Sequence, residues 1–129
     1  MIIIKPVENK SDQEKYCALC GIIYDPDAHA YAAHDERVFV CVAQFKIIGQ
    51  YGYIYDIAEP YGIDNSETVS LTARAVLNFM DLCGVPRVRM LTDYKNIPEL
   101  LKFNKNSDND WELFLSGYFL NSEKCENRN

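Results

Sequence analysis

The segment DNSETVSLTARAVLNFMDLCGVPRV, residues 64–88, decides the fold. Asp64 is followed three residues later by Glu67, and carboxylates at that spacing suit the positive end of a starting helix. Val69, Thr72, Ala73, Val76, Leu77, Met80 and Cys83 then recur at intervals of three and four, which lays one continuous face along a helix running to Cys83. Gly84 stands where a left-handed residue closes a helix, and Pro86 prevents its continuation. Arg87 to Thr92 reads as a strand directly after. A long helix handed straight to a strand is an αβ unit, so the chain belongs to the mixed α/β class.

Upstream of this unit, Arg37 to Ala43 is a run of β-formers without alternation, the pattern of a central strand buried on both faces. Residues 46–57 form a second long strand, with Gln44-Phe45 as the corner of a β-hairpin. Tyr51, Tyr53 and Tyr55 fall on one sheet face, while Gly52, Ile54 and Asp56 fall on the other. Pro60 and Gly62 end that strand. Nearer the N-terminus, residues 2–7 read as a strand, and Ser11 with Glu14 has the capping-box spacing that opens a helix. Tyr16, Leu19, Cys20 and Ile23 form its expected buried stripe. The polar segment from Asp25 to Glu36, containing Pro26, reads as a loop, with room for a short helix.

Downstream, a short helix is expected over Ile97 to Phe103, a polar loop through residue 110, and a last apolar element from Trp111 to Leu120. The chain thus reads as a single domain over 1–120 with a polar tail over 121–129.

Composition narrows the function classes. The chain has 129 residues, 48% of them hydrophobic, enough for one packed core. Nineteen acidic against thirteen basic side chains give a net charge of −6 with both signs dispersed, which argues against a nucleic-acid backbone as partner. No apolar run approaches the roughly 18 residues of a membrane span. Met1 to Val7 lacks the long apolar region and small-residue cleavage site of a secretory signal, so a cytoplasmic location is expected. Five cysteines at irregular spacing fit free thiols rather than a disulfide framework. Cys17 and Cys20 form a C-x-x-C late in a helix, where core packing is the expected role. His29 and His34 sit five apart among acids and match no compact ligand spacing, so no metal site is expected.

The order strand, helix, hairpin, strand, helix, strand, helix, terminal strand resembles that of the acetyl-CoA-dependent N-acetyltransferases of the GNAT superfamily. Lys46-Ile-Ile-Gly49 is similar to that family's hairpin exit, residues 70–88 to its cofactor helix and following strand, and Asn96 with Ser116-Gly-Tyr-Phe119 to its C-terminal signature. The resemblance implies one domain with a mixed, mostly antiparallel sheet flanked by helices. It also implies a cofactor loop of pattern R/Q-x-x-G-x-G/A, whose backbone amides close around the pyrophosphate at a helix N-terminus.

Here Asp64, Glu67 and Val69 stand at those loop positions, with Ile57 at the preceding strand position that the cofactor would meet. Two carboxylates and a β-branched residue thus replace the phosphate cradle. One like charge about 4 Å from a phosphate costs roughly 4 kcal/mol at an effective dielectric near 20, about a thousandfold in affinity. Cofactor binding is therefore expected to be impaired, and no cofactor is expected. For catalysis the resemblance points to Asp56 or Glu59 as base. The family's tyrosine acid, about seven residues past Asn96, coincides with Phe103, which has no proton to give, leaving Tyr94 or Tyr118 as substitutes.

Two classes of function follow. In the first, the chain is a GNAT-like domain with impaired acetyl-CoA binding that serves as a small-ligand or protein-binding module, with Tyr51, Tyr53 and Tyr55 as the ligand or partner face and a second copy of the chain among the candidate partners. In the second, it is an acyl-CoA-dependent N-acetyltransferase that uses acetyl-CoA through an atypical loop, with Asp56 or Glu59 deprotonating an amine.

Overall fold

A computed structural model describes residues 1–119. The elements in chain order are β1 (Ile2–Pro6), α1 (Lys10–Cys20), β2 (His29–Asp35), β3 (Val38–Ile48), β4 (Tyr51–Ala58), α2 (Ser66–Leu82), β5 (Arg87–Met90), α3 (Ile97–Leu100), β6 (Asn104–Lys105) and β7 (Trp111–Phe114), with a short 3-10 turn over Tyr94–Asn96 before α3. The strands form a single sheet in the order β1-β2-β3-β4-β5-β7-β6. Among the described residues only β4 and β5 run parallel, joined across α2. The sheet is mixed, mostly antiparallel and flanked by helices, as expected. The tail over 121–129 and Leu120 lie outside the described residues. Among the described residues no helix is long and apolar enough to cross a membrane.

α2 carries the core. Val69, Thr72, Ala73, Val76, Leu77 and Met80 are all fully buried against Phe45, Ile54 and Ile57 of the sheet, as the helical spacing predicts. Each aliphatic side chain so buried contributes about 1.5–3 kcal/mol. Cys83 is exposed, because it caps the helix beyond the edge of this face. The helix starts one residue later than the acidic reading places it, with Asn65 as N-cap accepting from Thr68 N–H at 3.1 Å. The same substitution of an amide cap occurs in α1, where Asn9 rather than Ser11 accepts from Asp12 N–H at 2.8 Å. α1 buries Gln13 and Cys17, while Leu19 and Ile23 are exposed, so its face against the sheet is rotated from the expected stripe.

The main departure from the sequence reading is β2. The segment read as a loop is a strand paired with both β1 and β3, with its small residues Ala30, Ala32 and Ala33 buried. Alanine has weak strand propensity, so tertiary packing decides here. A second departure concerns the hairpin. β3 runs unbroken through Gln44-Phe45, and the turn comes at Gly49-Gln50, where Gly49 supplies φ +61°. What lies opposite Gln44 and Phe45 is a β-bulge, since Gln44 pairs with Asp56 and Phe45 with Ile54, leaving Tyr55 as the extra residue.

Three thiols are masked by packing. Cys17 and Cys41 are buried and Cys20 half-buried; Cys20 donates to Ala58 O at 3.3 Å, and Cys41 Sγ lies 3.3 Å from Thr72 Oγ1. Burial pushes Cys17 up to about 11, Cys20 to about 12 and Cys41 to about 11.

Candidate functional site

β4 and β5 stay paired only from Tyr51↔Arg87 to Ile54↔Met90, with a last bond from Leu91 N–H to Ile54 O at 2.9 Å. Beyond it β4 continues to Ala58 while the chain after β5 turns away into Tyr94–Asn96, so a gap opens between them and faces the head of α2. Glu59, at the end of β4, crosses this gap. Its side chain is completely buried and accepts Asn65 N–H at 2.5 Å, Tyr94 O–H at 3.0 Å and the Lys95 ammonium. Lys95 also bonds Asp64 at 2.6 Å. Two expected site residues, Glu59 and Tyr94, are thus brought together, and Asp64 joins them through Lys95.

The electrostatics follow from these contacts. The Lys95 ammonium holds the Asp64 carboxyl below the usual Asp range. Tyr94 is raised by burial and by the Glu59 carboxylate it bonds. Lys95 is raised by its two carboxylate partners. Lys95 was not legible as a site residue. Its neighbours in space are 31 and 36 positions away in sequence, and it and Asn96 adopt left-handed φ values of +51° and +58° that no glycine signals.

At the head of α2, Asn65 N–H goes to Glu59, Thr68 N–H to the Asn65 side chain, and Val69 N–H to Asn65 O at 3.1 Å. Val69 itself sits in the core and Ile57 is 1% exposed against α2. Glu67 is exposed in the first turn. The remaining candidates lie elsewhere. Tyr118 is raised by burial and donates its hydroxyl to Leu101 O at 3.1 Å beside α3. Asp56 is turned by the bulge towards α1, on the side of Gln44, whose amide oxygen accepts from Gln13 at 2.9 Å, and its carboxyl is raised by burial. It therefore shares a side with the tyrosines rather than opposing them.

Tyr51, Tyr53 and Tyr55 form a half-buried ladder along β4, with ring centroids 6.1 and 6.2 Å apart. Neighbouring strands place cations on it: Lys46 lies 5.2 Å from the Tyr55 ring, and Arg87 and Arg89 lie 5.9 and 4.7 Å from the Tyr51 ring. Arg87 and Arg89 share one carboxylate, Glu112. Phe114 and Ile48 stand exposed at the margin of this face.

No family model matches the sequence, and no curated protein is similar to it. Solved structures are. The ribosomal-protein-S18-alanine N-acetyltransferase of Escherichia coli superposes with a TM-score of 0.65 over 87% of this chain and 89% of its own, at 9% identity. A Desulfovibrio desulfuricans structure assigned to the GNAT acetyltransferases gives 0.69 over 89% and 99% at 11% identity. The fold is that of the GNAT N-acetyltransferases. A third GNAT-fold structure, the PaiA N-acetyltransferase of Thermoplasma acidophilum in complex with coenzyme A, gives 0.64 over 88% and 99% at 11% identity. At these identities the likeness is one of fold.

Proposed function

We propose that this chain is a GNAT-fold binding module whose acyl-CoA cleft is closed by its own side chains, and that it takes a small ligand or a protein partner on the tyrosine face. The observation that carries this reading is the buried Glu59 carboxylate. It holds the amide at the entry to α2 and ties the end of β4 to Tyr94 and Lys95 across the gap. An internal carboxylate thereby satisfies the backbone donor that a bound phosphate needs.

The residues at the head of α2 do not fit a diphosphate. One would have to displace Glu59 and come up against the Asp64 and Glu67 carboxylates, whose charge opposes it. The Val69 amide is spent inside the helix, and residues 63–82 contain no glycine to let the backbone come close. The tyrosine ladder offers apolar area with polar tips on a sheet face beyond α1, which suits recognition.

A second reading, an active N-acyltransferase, draws on Asp56. Its half-buried carboxyl is raised by burial on the α1 side of β4 and has no hydrogen-bond partner among the described residues, which are properties of a general base. Titration of the chain with acetyl-CoA and desulfo-CoA, with thermal shift in the same buffer, separates the two. The binding-module reading expects neither heat nor shift at about 1 mM cofactor, and saturable binding below that concentration overturns it.

A further inference from the structure

A groove of about 340 Å³ lies between β1 and the start of α1, and it shares no residue with the Glu59 cluster or the tyrosine face. That volume is at the lower end of small-molecule sites. Its apolar wall is made by Ile3, Val7, Ala32 and the ring of Tyr16, which is stacked on Phe39 at 4.4 Å and so held in place. Lys5 and Arg37 also line it, and among the described residues neither is in an ion pair. The lining as a whole balances these two cations against the carboxylates of Glu8 and Asp12, so an anionic group is favoured only at the Lys5–Arg37 end.

The backbone gives independent support. Glu36 and Arg37 form the β2–β3 turn with φ of +48° and +73°, positions where such turns normally carry Asn and Gly. An arginine kept in that disfavoured conformation, with its side chain on a cavity, is the kind of local strain that collects at ligand sites. His34 adds a polar group: its Nε2 lies 3.3 Å from the Tyr16 hydroxyl. Burial and nearby Lys5 hold its pKa below the usual range, so it is uncharged at neutral pH. Towards α1 the groove ends in Glu8 and Asp12, the latter held by Asn9 Nδ2 at 2.9 Å, and a second negative charge on the ligand would meet them.

We propose that this groove binds a small organic monocarboxylate, its anionic end against Arg37 and Lys5 and its apolar body against Tyr16 and Ala32. The probes are benzoate, its dianionic relative terephthalate and benzylamine, titrated calorimetrically into the full chain. Benzoate is expected to bind saturably with Kd of about 1 mM, and the other two at least about tenfold more weakly. Arg37→Gly removes the cation while placing glycine at a φ it favours, so the fold is kept. That variant and Lys5→Gln are each expected to weaken benzoate at least about tenfold, whereas Lys15→Gln, which removes an exposed cation outside the groove, leaves it unchanged. No saturation by about 50 mM, equal binding of benzoate and benzylamine, or an unaltered Kd in a folded Arg37→Gly chain overturns the proposal.

Discussion

Replacing Glu59 by alanine is the most direct probe of the closed cleft. The carboxylate is fully buried, and two of its three donors, Asn65 N–H and Tyr94 O–H, have no other acceptor among the described residues. Asn65 N–H and Tyr94 O–H would each be left without an acceptor, at about 1–3 kcal/mol apiece. Lys95 is 26% exposed and keeps Asp64, so its own share is small. The expected loss is therefore about 3–5 kcal/mol, the range for removing one partner of a buried ion pair, or a fall in Tm of about 10 °C or more. Glu59→Gln keeps one acceptor oxygen and should lose about half as much; Tyr94→Phe, which deletes one hydrogen bond, about 1 kcal/mol. Urea unfolding followed by Trp111, the single tryptophan, measures all three against wild type. If Glu59→Ala lies within about 1 kcal/mol of wild type, or costs no more than Tyr94→Phe, the cluster does not hold the gap closed.

Three further outcomes are expected. Gly52 of β4 backs onto α2, and a Cβ there would come within 2.5 Å of Met80 Sδ and 2.9 Å of its Cε. Gly52→Ala should cost about 1–3 kcal/mol in urea melts, and less in a Met80→Ala background; an equal cost in both would refute the contact. Asp56→Asn should stabilise the chain at neutral pH. Burial raises the folded carboxyl above its unfolded value, so the ionised form favours the unfolded chain. The gain should shrink as pH falls through the raised value and vanish below about pH 4, where both states are protonated, whereas a pH-independent gain would contradict desolvation as the cause. Finally, Tyr53→Glu should leave the melting temperature nearly unchanged while abolishing sedimentation of complexes or partner capture, and retention of either would remove the tyrosine face from the functional reading.

What the sequence made legible was what depends on local order. The α2 face, Gly84 and the tyrosine alternation up to residue 55 were readable because helical and strand periods act over neighbours a few residues apart. β2 escaped because alanine and histidine give no strand signal, and only pairing with β1 and β3 makes a strand of them. The bulge at Tyr55 has no sequence mark either, yet it decides which side Asp56 faces. In the candidate site, Glu59, Asp64 and Tyr94 were named from the family pattern. Their partner Lys95 was not, because the contact between loops more than 30 residues apart is set by the sheet's parallel crossover.

The masked thiols make the chain its own recorder of opening. At neutral pH a maleimide meets Cys83 at once, but Cys17, Cys20 and Cys41 only after the structure parts around them. Cys17 and Cys20 belong to α1, which buries only Gln13 and Cys17, whereas Cys41 lies beneath α2, which buries seven residues. Alkylation of the first pair therefore times the peeling of one helix, and alkylation of Cys41 times the loss of the whole core.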